Sequence, residues 1–575
     1  MTYRAPLAEI EFILSHVIDA DRLAETELFS EATPDTRAAI LEEAGRMAEN
    51  ALAPLLRAGD LHPARLENGV VRTSPGFAEG FRALAEGGWI GISADPEHGG
   101  MGLPFTLGTA VNEMTAAANL ALSLCPLLTQ GQIEALEHHA SDALKALYLP
   151  KLIDGTWTGT MNLTEPQAGT DVGALRTKAE PNDDGTFAIT GQKIFITWGD
   201  NDFAENVSHL VLARLPDAPA GTKGLSLFLV PKLIPDADGK PGVANALKVV
   251  SLEHKLGIHG SPTAVMAYEG ATGWMVGEPG DGMAAMFTMM NNARLGVAAE
   301  GLGIAEAATQ MALAYAAERK QGRTPVEGTG AIIDHADIRR MLMRMKALTG
   351  AARAICLDTA LSTDMARAAD EGARGAWRAR AAFLTPIAKA FSTDIGNEVA
   401  HLNIQVHGGM GFIEETGAAQ LARDARITPI YEGTNGVQAM DLVGRKLSDG
   451  GEAARALLAE IETFAKQAIA DAKDDAAKDL ATRVLTAHDE VRAATEWMLN
   501  APDINDRFAG ATPYLRAWAL LLGGHYALKG AGAPGRLPLA AFQIRQVMAA
   551  IPGLLAAATA GAEPLYALSA DALAN

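Results

Sequence analysis

Apolar residues recur at three- and four-residue spacing from the start of the chain to about residue 158. Ile40, Leu41, Ala44 and Met47 make one such stripe, and Phe81, Leu84 and Ala85 another. That period predicts helices. The segment Gly87–Pro104, GGWIGISADPEHGGMGLP, breaks it with Gly and Pro and reads as a loop. Helical spacing resumes over Val111–Leu152. Within it, Met114–Ile133 carries no charge and nominally reaches the roughly 20 residues a membrane span needs. Asn119, Pro126, Gln130, Gly131 and Gln132 interrupt it, so a buried core helix and its turn are expected.

Between about residues 159 and 287 the period changes. Phe187–Thr190, Ile194–Thr197, His209–Ala213, Leu225–Val230 and Val265–Tyr268 are short runs rich in β-branched or aromatic residues, separated by Gly, Pro and Asp-Gly turns. Helical spacing returns at Met283 and continues through Met311–Lys320, Ile338–Leu361, Trp377–Val406 and Ala418–Arg423. After the Gly-rich stretch Ser448–Gly451, further amphipathic helices fill the chain to Asn575. The expected fold class is α+β, mostly α. Its expected parts are a helical region over 1–158, a β-domain over 159–287, a helical bundle over 288–447 and an added helical region over 452–575.

Composition narrows the function. The chain has 575 residues and a net charge of -21. It has no basic block of the kind that neutralises phosphates, so nucleic acid is not its expected partner. Its two cysteines, Cys125 and Cys356, cannot build a disulfide framework. The N-terminus lacks a basic segment followed by an apolar one, and a cytoplasmic location is expected. His138-His139 and His254/His259 have no Cys or clustered acids at ligand spacing, so no metal is expected.

Four segments can carry chemistry. Thr164–Asp171 (TEPQAGTD) is a Pro-stiffened turn whose backbone N–H groups and hydroxyls can donate to an electron-rich ring. Phe195 and Thr197, two apart on a strand, share one face on which a flat ring could stack. Arg294 opens a small-residue helix and can hold a carbonyl or phosphate. Its Gly301-x-Gly303 is no dinucleotide fingerprint, since Glu306 takes the sixth position and no strand precedes it. Finally, Glu432 in Ile430–Gly436 (IYEGTNG) sits among apolar and small residues, where desolvation would raise its pKa and suit it to act as a base. Glu414 and Glu415 are the next acids to consider. Taken singly, these segments read first as an ordinary turn, a half-buried strand, a surface ion pair and an exposed loop.

Together they change the reading. TEPQAGTD, GQKIFITWG, ARLGVAAEGLGIAEAA, YAAERKQGR, QVHGGMGF and RDARITPIYEGTNGVQ stand in one order over roughly residues 35–447. In that order they resemble the acyl-CoA dehydrogenase family, and the region beyond them resembles its long bacterial members. The resemblance implies a helical N-domain, a middle β-barrel and a four-helix C-domain. It implies FAD as cofactor, an acyl-CoA as substrate and trans-2-enoyl-CoA as product, with Glu432 as the base. Met161, Leu163, Thr164, Phe195, Ile196, Thr197 and Thr434 would meet the flavin side, and Thr170 both FAD and CoA. Arg319, Gln321, Gln405, Gly408 and Gly409 would meet the diphosphate and adenosine part, Arg319 and Gln321 coming from a neighbouring subunit of a homodimer or larger assembly. Asn291, Arg294 and Gly433 would meet substrate. An electron-transfer flavoprotein would be the electron acceptor, with an oxidase using dioxygen as the alternative. Phe195 stands where the family has Trp, Asn291 where it has Asp, and Gln321-Gly322-Arg323 where it has Thr-Phe-Gly.

Overall fold

The computed structural model describes residues 3–575, the side chain of Asn291 excepted. Met1 and Thr2 fall outside the described residues. The N-terminal helices include α1 (Pro34–Met47), α2 (Phe105–His139) and α3 (Asp142–Ile153). Thr33 and Ser141 cap α1 and α3 by accepting from the N–H of Thr36 and Leu144. The charge-free run is not a helix followed by a turn. Helix α2 continues past Pro126 to His139, and its one break is Asn119, at φ -162° and ψ 88°. The Asn119 side chain accepts from the N–H of Leu122, capping the second half of the helix just as Ser or Asp would at a true start.

The middle region is a β-barrel. Strands β1 (Trp157–Asn162), β2 (Lys178–Pro181), β3 (Phe187–Thr197), β4 (Asn206–Arg214), β5 (Leu225–Pro231), β6 (Leu247–Leu252) and β7 (Thr263–Val276) form one sheet. Pairing runs β7–β3–β2–β4, and β5 closes the ring by pairing with both β4 and β7. Ile189, Val211, Phe228, Val230 and Met266 fill its interior. The two sequence runs at 187–190 and 194–197 are one strand, β3, because Gly191 extends rather than ends it.

Three long helices follow: α4 (Gly282–Glu318), α5 (Ala336–Ala368) and α6 (Glu371–His407). The fourth position of the bundle is filled by two short helices, α7 (Ala418–Ala425) and α8 (Asn435–Asp441). The loop between them contains Pro429, Glu432 and Gly433, the last two at positive φ, and no helix can run through that sequence. Helices α4 and α6 approach closely at Gly301 and Gly396: a Cβ on Gly301 would lie 2.5 Å from Ser392 O. The added region packs α9 (Glu452–Ala470) and α11 (Ile504–Gly530) against the bundle, with α10 (Asp475–Asn500) packed on those two. One helical stretch, Leu537–Ala558, is long and apolar enough to cross a membrane by length and composition, with a mean hydropathy of 1.4. It is broken into successive short turns that lie against α11.

Candidate active site

The turn Thr164–Asp171 is braced from below. The carboxylate of Glu165 accepts from Lys193 Nζ at 2.9 Å, from Thr177 Oγ1 at 2.6 Å and from the N–H of Arg176 at 2.8 Å. Burial alone would raise this acid, yet the Lys193 charge and the donors hold it at about 2. Lys193 also donates to Leu163 O, and the N–H of Ile194 to Thr164 O. The turn is therefore fixed to strand β3, with Thr164 half-buried and Thr170 exposed.

Simple alternation would have put Phe195 on the buried face of Lys193. The structure departs from that alternation. The β3–β7 register slips between Lys193 and Ile196, and Phe195 takes φ 61°. This bulge turns the ring outward, 59% exposed, and buries Ile196 instead. A bulky residue in the left-handed region is costly and marks a functional candidate. The following Trp198 donates its indole N–H to Ala121 O of α2.

Helix α2 in turn packs along α4. A Cβ on Gly303 would meet Ala117 N at 2.7 Å, and one on Gly296 would meet Leu127 Cδ1 at 2.3 Å. Ala121, and with it the end of β3, therefore lies level with residues near Glu300. Glu300 is buried and accepts from the hydroxyl of Tyr431. Tyr431 precedes Glu432, so the carboxyl-bearing loop reaches the level of the Phe195–Thr197 strand.

Glu432 itself has φ 55°. Part of the residue stays at the surface, while its carboxyl is packed round by protein. Burial raises that carboxyl to about 7 against the charges of Arg294 and Lys389. Burial likewise lifts Glu300 to about 8 and lowers Lys389 to about 8. Lys389 donates to Gly433 O and to Asn435 Oδ1, each at 3.0 Å. Arg294 is buried 3.5 Å from Asp441 Oδ2. Neither the Glu432 carboxylate nor its N–H has a protein hydrogen-bond partner among the described residues. An acid poised near neutrality beside an unused backbone donor can take a proton and stabilise the resulting oxyanion.

The other expected residues lie elsewhere. Arg319 follows the end of α4, and at 1.5 Å per residue it is about 38 Å along the helix from Arg294. Exposed Gln321 adjoins it, with Gln405, Gly408 and Gly409 at the same end of the bundle, where His407 stacks on Tyr315 at 4.2 Å. Added Cβ atoms on Gly408 and Gly409 would meet nothing. The expected cofactor residues of one chain thus fall in two separated groups, with bare backbone and an Arg at one end and an outturned ring with hydroxyls at the other. Asn291 lies outside the described side chains. Glu414 is exposed and paired to Arg423 at 2.9 Å, so Glu300, not Glu414, is the acid nearest in setting to Glu432. The sequence reading missed Glu165, Lys193, Glu300, Lys389 and Tyr431. For Glu300 and Lys389 the trace in the sequence is a single charge inside an apolar run, VAAEGLG and PIAKAF, which does not tell what either one meets.

The fold is a closed β-barrel between helical layers, with the buried carboxyl of Glu432 at the level of an outturned aromatic strand end. The chain belongs to the acyl-CoA dehydrogenase family, FAD-dependent oxidoreductases. Its N-terminal, middle and C-terminal domain models match residues 34–156, 160–271 and 280–447, and an acetyl-CoA dehydrogenase C-terminal-like model matches 457–569. The chain is 48% identical over 522 residues to 3-methylmercaptopropionyl-CoA dehydrogenase of Ruegeria pomeroyi, covering 90% of this chain and 88% of that protein. It is 34% identical over 518 residues, covering 87% of this chain and 84% of the relative, to a broad-specificity linear acyl-CoA dehydrogenase of Mycobacterium tuberculosis. An acyl-CoA dehydrogenase of Bacillus anthracis, solved complexed with FAD, shares the fold at a TM-score of 0.75 and 20% identity, over 96% of this chain and 91% of that one. The enzyme dehydrogenates acyl-CoA thioesters.

Proposed function

We propose that Glu432 is the base that removes the α-proton of the bound thioester. The observation that carries this is its carboxyl: left-handed, unbonded, and raised to about 7 by burial. Its N–H, free of protein acceptors, donates to the thioester oxygen and stabilises the negative charge that grows there. Arg294 and Gly433, with Asn291 and Thr170, hold the substrate. Met161, Leu163, Thr164, Thr170, Phe195, Ile196, Thr197 and Thr434 hold the flavin half of FAD. When bound, FAD supplies the acceptor for the β-hydride, and the product is the trans-2-enoyl-CoA. Arg319, Gln321, Gln405, Gly408 and Gly409 hold the adenosine half for a second copy, so the working unit is a homodimer or larger. The division at 1–158, 159–287, 288–447 and 452–575 follows the changes of element type. Electrons leave to an electron-transfer flavoprotein, and the enzyme works in the cytoplasm. Identity of 48% along 90% of the chain makes 3-methylmercaptopropionyl-CoA the first substrate to assay, with plain fatty acyl-CoA the second.

Glu432→Gln tests the base directly. The amide keeps volume and the backbone N–H but cannot take a proton. Anaerobic bleaching of the flavin on mixing with substrate should slow by about 10²–10⁴-fold, with flavin absorbance intact. Bleaching at the wild-type rate would place the base elsewhere.

A further inference from the structure

The loop that carries Glu432 is held by Tyr431 on Glu300, by Gln438, which donates to Glu432 O and Gly433 O at 3.3 Å, and by one buried cation. Lys389, on α6, is fully buried. Its ammonium donates to Gly433 O, the carbonyl just beyond Glu432, and to Asn435 Oδ1, both at 3.0 Å. Asn435 is itself tied down, its amide donating to Ala390 O, Thr393 Oγ1 and Asp394 Oδ1 at 3.1, 3.0 and 2.7 Å. Two consecutive residues, Glu432 at φ 55° and Gly433 at φ 86°, are left-handed. Such backbone persists only where its surroundings over-determine it, and Lys389 makes a direct tie from a long helix to that turn. Burying a lysine is expensive unless its charge has a partner. No carboxylate among the described residues bonds to Lys389. Glu432, Glu300 and Asp394 supply the surrounding negative charge instead.

We propose that Lys389 is a positioning residue for the reaction, pinning the loop through Gly433 and Asn435 while its charge stabilises the ionised form of Glu432. This rests on Glu432 being the base. The groups facing the base are Arg294 and Glu300 from α4, Tyr431 from its own loop and Lys389 from α6. Asp441 of α8 is turned toward Arg294 and Arg445 at 3.5 and 2.6 Å, and Asp394 toward Asn435. Arg294 and Lys389 are thus the two cations that oppose the desolvation of Glu432. Loss of one leaves the carboxylate harder to ionise.

The test is the pH profile of anaerobic flavin reduction in the holoenzyme. In the wild type the rate rises with pH as Glu432 ionises, with a midpoint at about 7. Lys389→Met removes both the charge and the tie. Its acid limb should move up by about one pH unit, with kcat reduced even on the plateau and KM for acyl-CoA little changed. Lys389→Gln keeps an N–H donor without the charge, and should move the limb equally while keeping more of the plateau. An unshifted limb in either folded variant overturns the proposal, since a purely structural role lowers the rate alike at every pH. Should neither hold FAD, Lys389→Arg keeps the charge and must keep the wild-type limb; a shifted limb there overturns it as well. Glu432→Gln run alongside separates the two readings: if it bleaches normally the base is wrong, whereas a dead Glu432→Gln with an unshifted Lys389 series condemns only the role of Lys389.

Discussion

Glu300 and Glu306 lie six residues apart on α4, the first buried and the second half-buried, and behave oppositely. Glu306 shares the guanidinium of Arg353 with Glu113, at 2.6 Å to each, so one cation on α5 ties α4 to α2. Burial works against Glu306, but Arg353 and Gln310 hold its pKa below the ordinary value. Glu300 has no cation bonded to it, only the hydroxyl of Tyr431, and burial raises it to about 8. The same helix thus carries a closed charge cluster that fastens three helices and an open one beside Glu432. Perturbed groups without full partners are where chemistry concentrates, while paired ones report packing.

Breaking the closed cluster should have the largest effect on the fold. Arg353→Met leaves Glu113 and Glu306 buried without their cation, and stability in urea should fall by about 3–5 kcal/mol. The acid limb of flavin reduction in the folded protein should not move. A shifted limb would mean that the two clusters communicate. Gly301→Ala attacks the seam between them. Its Cβ would press on Ser392 O and Thr393 Cα, backbone that cannot swing aside, at a cost of about 1–3 kcal/mol. A neutral effect would show that the α4–α6 seam is looser than its spacing implies.

Glu300→Gln has its smallest effect at low pH, where the wild-type carboxyl is protonated in the folded and unfolded chain alike. The sign is fixed by linkage. The unfolded acid titrates near 4.5 and the folded one at about 8, so the wild type's stability is fully present below the lower value. It is lost as pH rises between the two, by at most about 1.4 kcal/mol per pH unit. Gln does not ionise, so melting curves of the two proteins should separate in favour of Glu300→Gln as pH climbs from 5 to 9. Parallel curves would mean that Glu300 is charged throughout.

The period of apolar residues was enough to read where helices give way to strands, because 3.6 and 2.0 leave different marks on a chain. It could not show that Pro126 lies inside a helix, since the capping by Asn119 that reorganises the turn is a side-chain contact. Nor could alternation show the bulge at Phe195, which needs the partner strand. Glu432 was legible as an acid among small residues and through its motif. Lys389 and Glu300 were not, because each is far from Glu432 in sequence and gains meaning only when α4 and α6 close on the loop. Nothing among the residues near Arg319 revealed that they lie a helix length from Arg294 and Glu432.

That separation has a consequence in terms of mass action. Each chain offers half of a cradle at either end of α4, and on the proposed two-copy site neither half is complete without its neighbour. Retention of the cofactor is then coupled to association, as for any ligand that binds only the assembled form. Dilution should release FAD from the protein cooperatively, at a concentration set by the subunit contact and not by the flavin's own affinity. Colour retained at any dilution, by a protein that light scattering shows to be monomeric, would mean that a single chain holds FAD unaided.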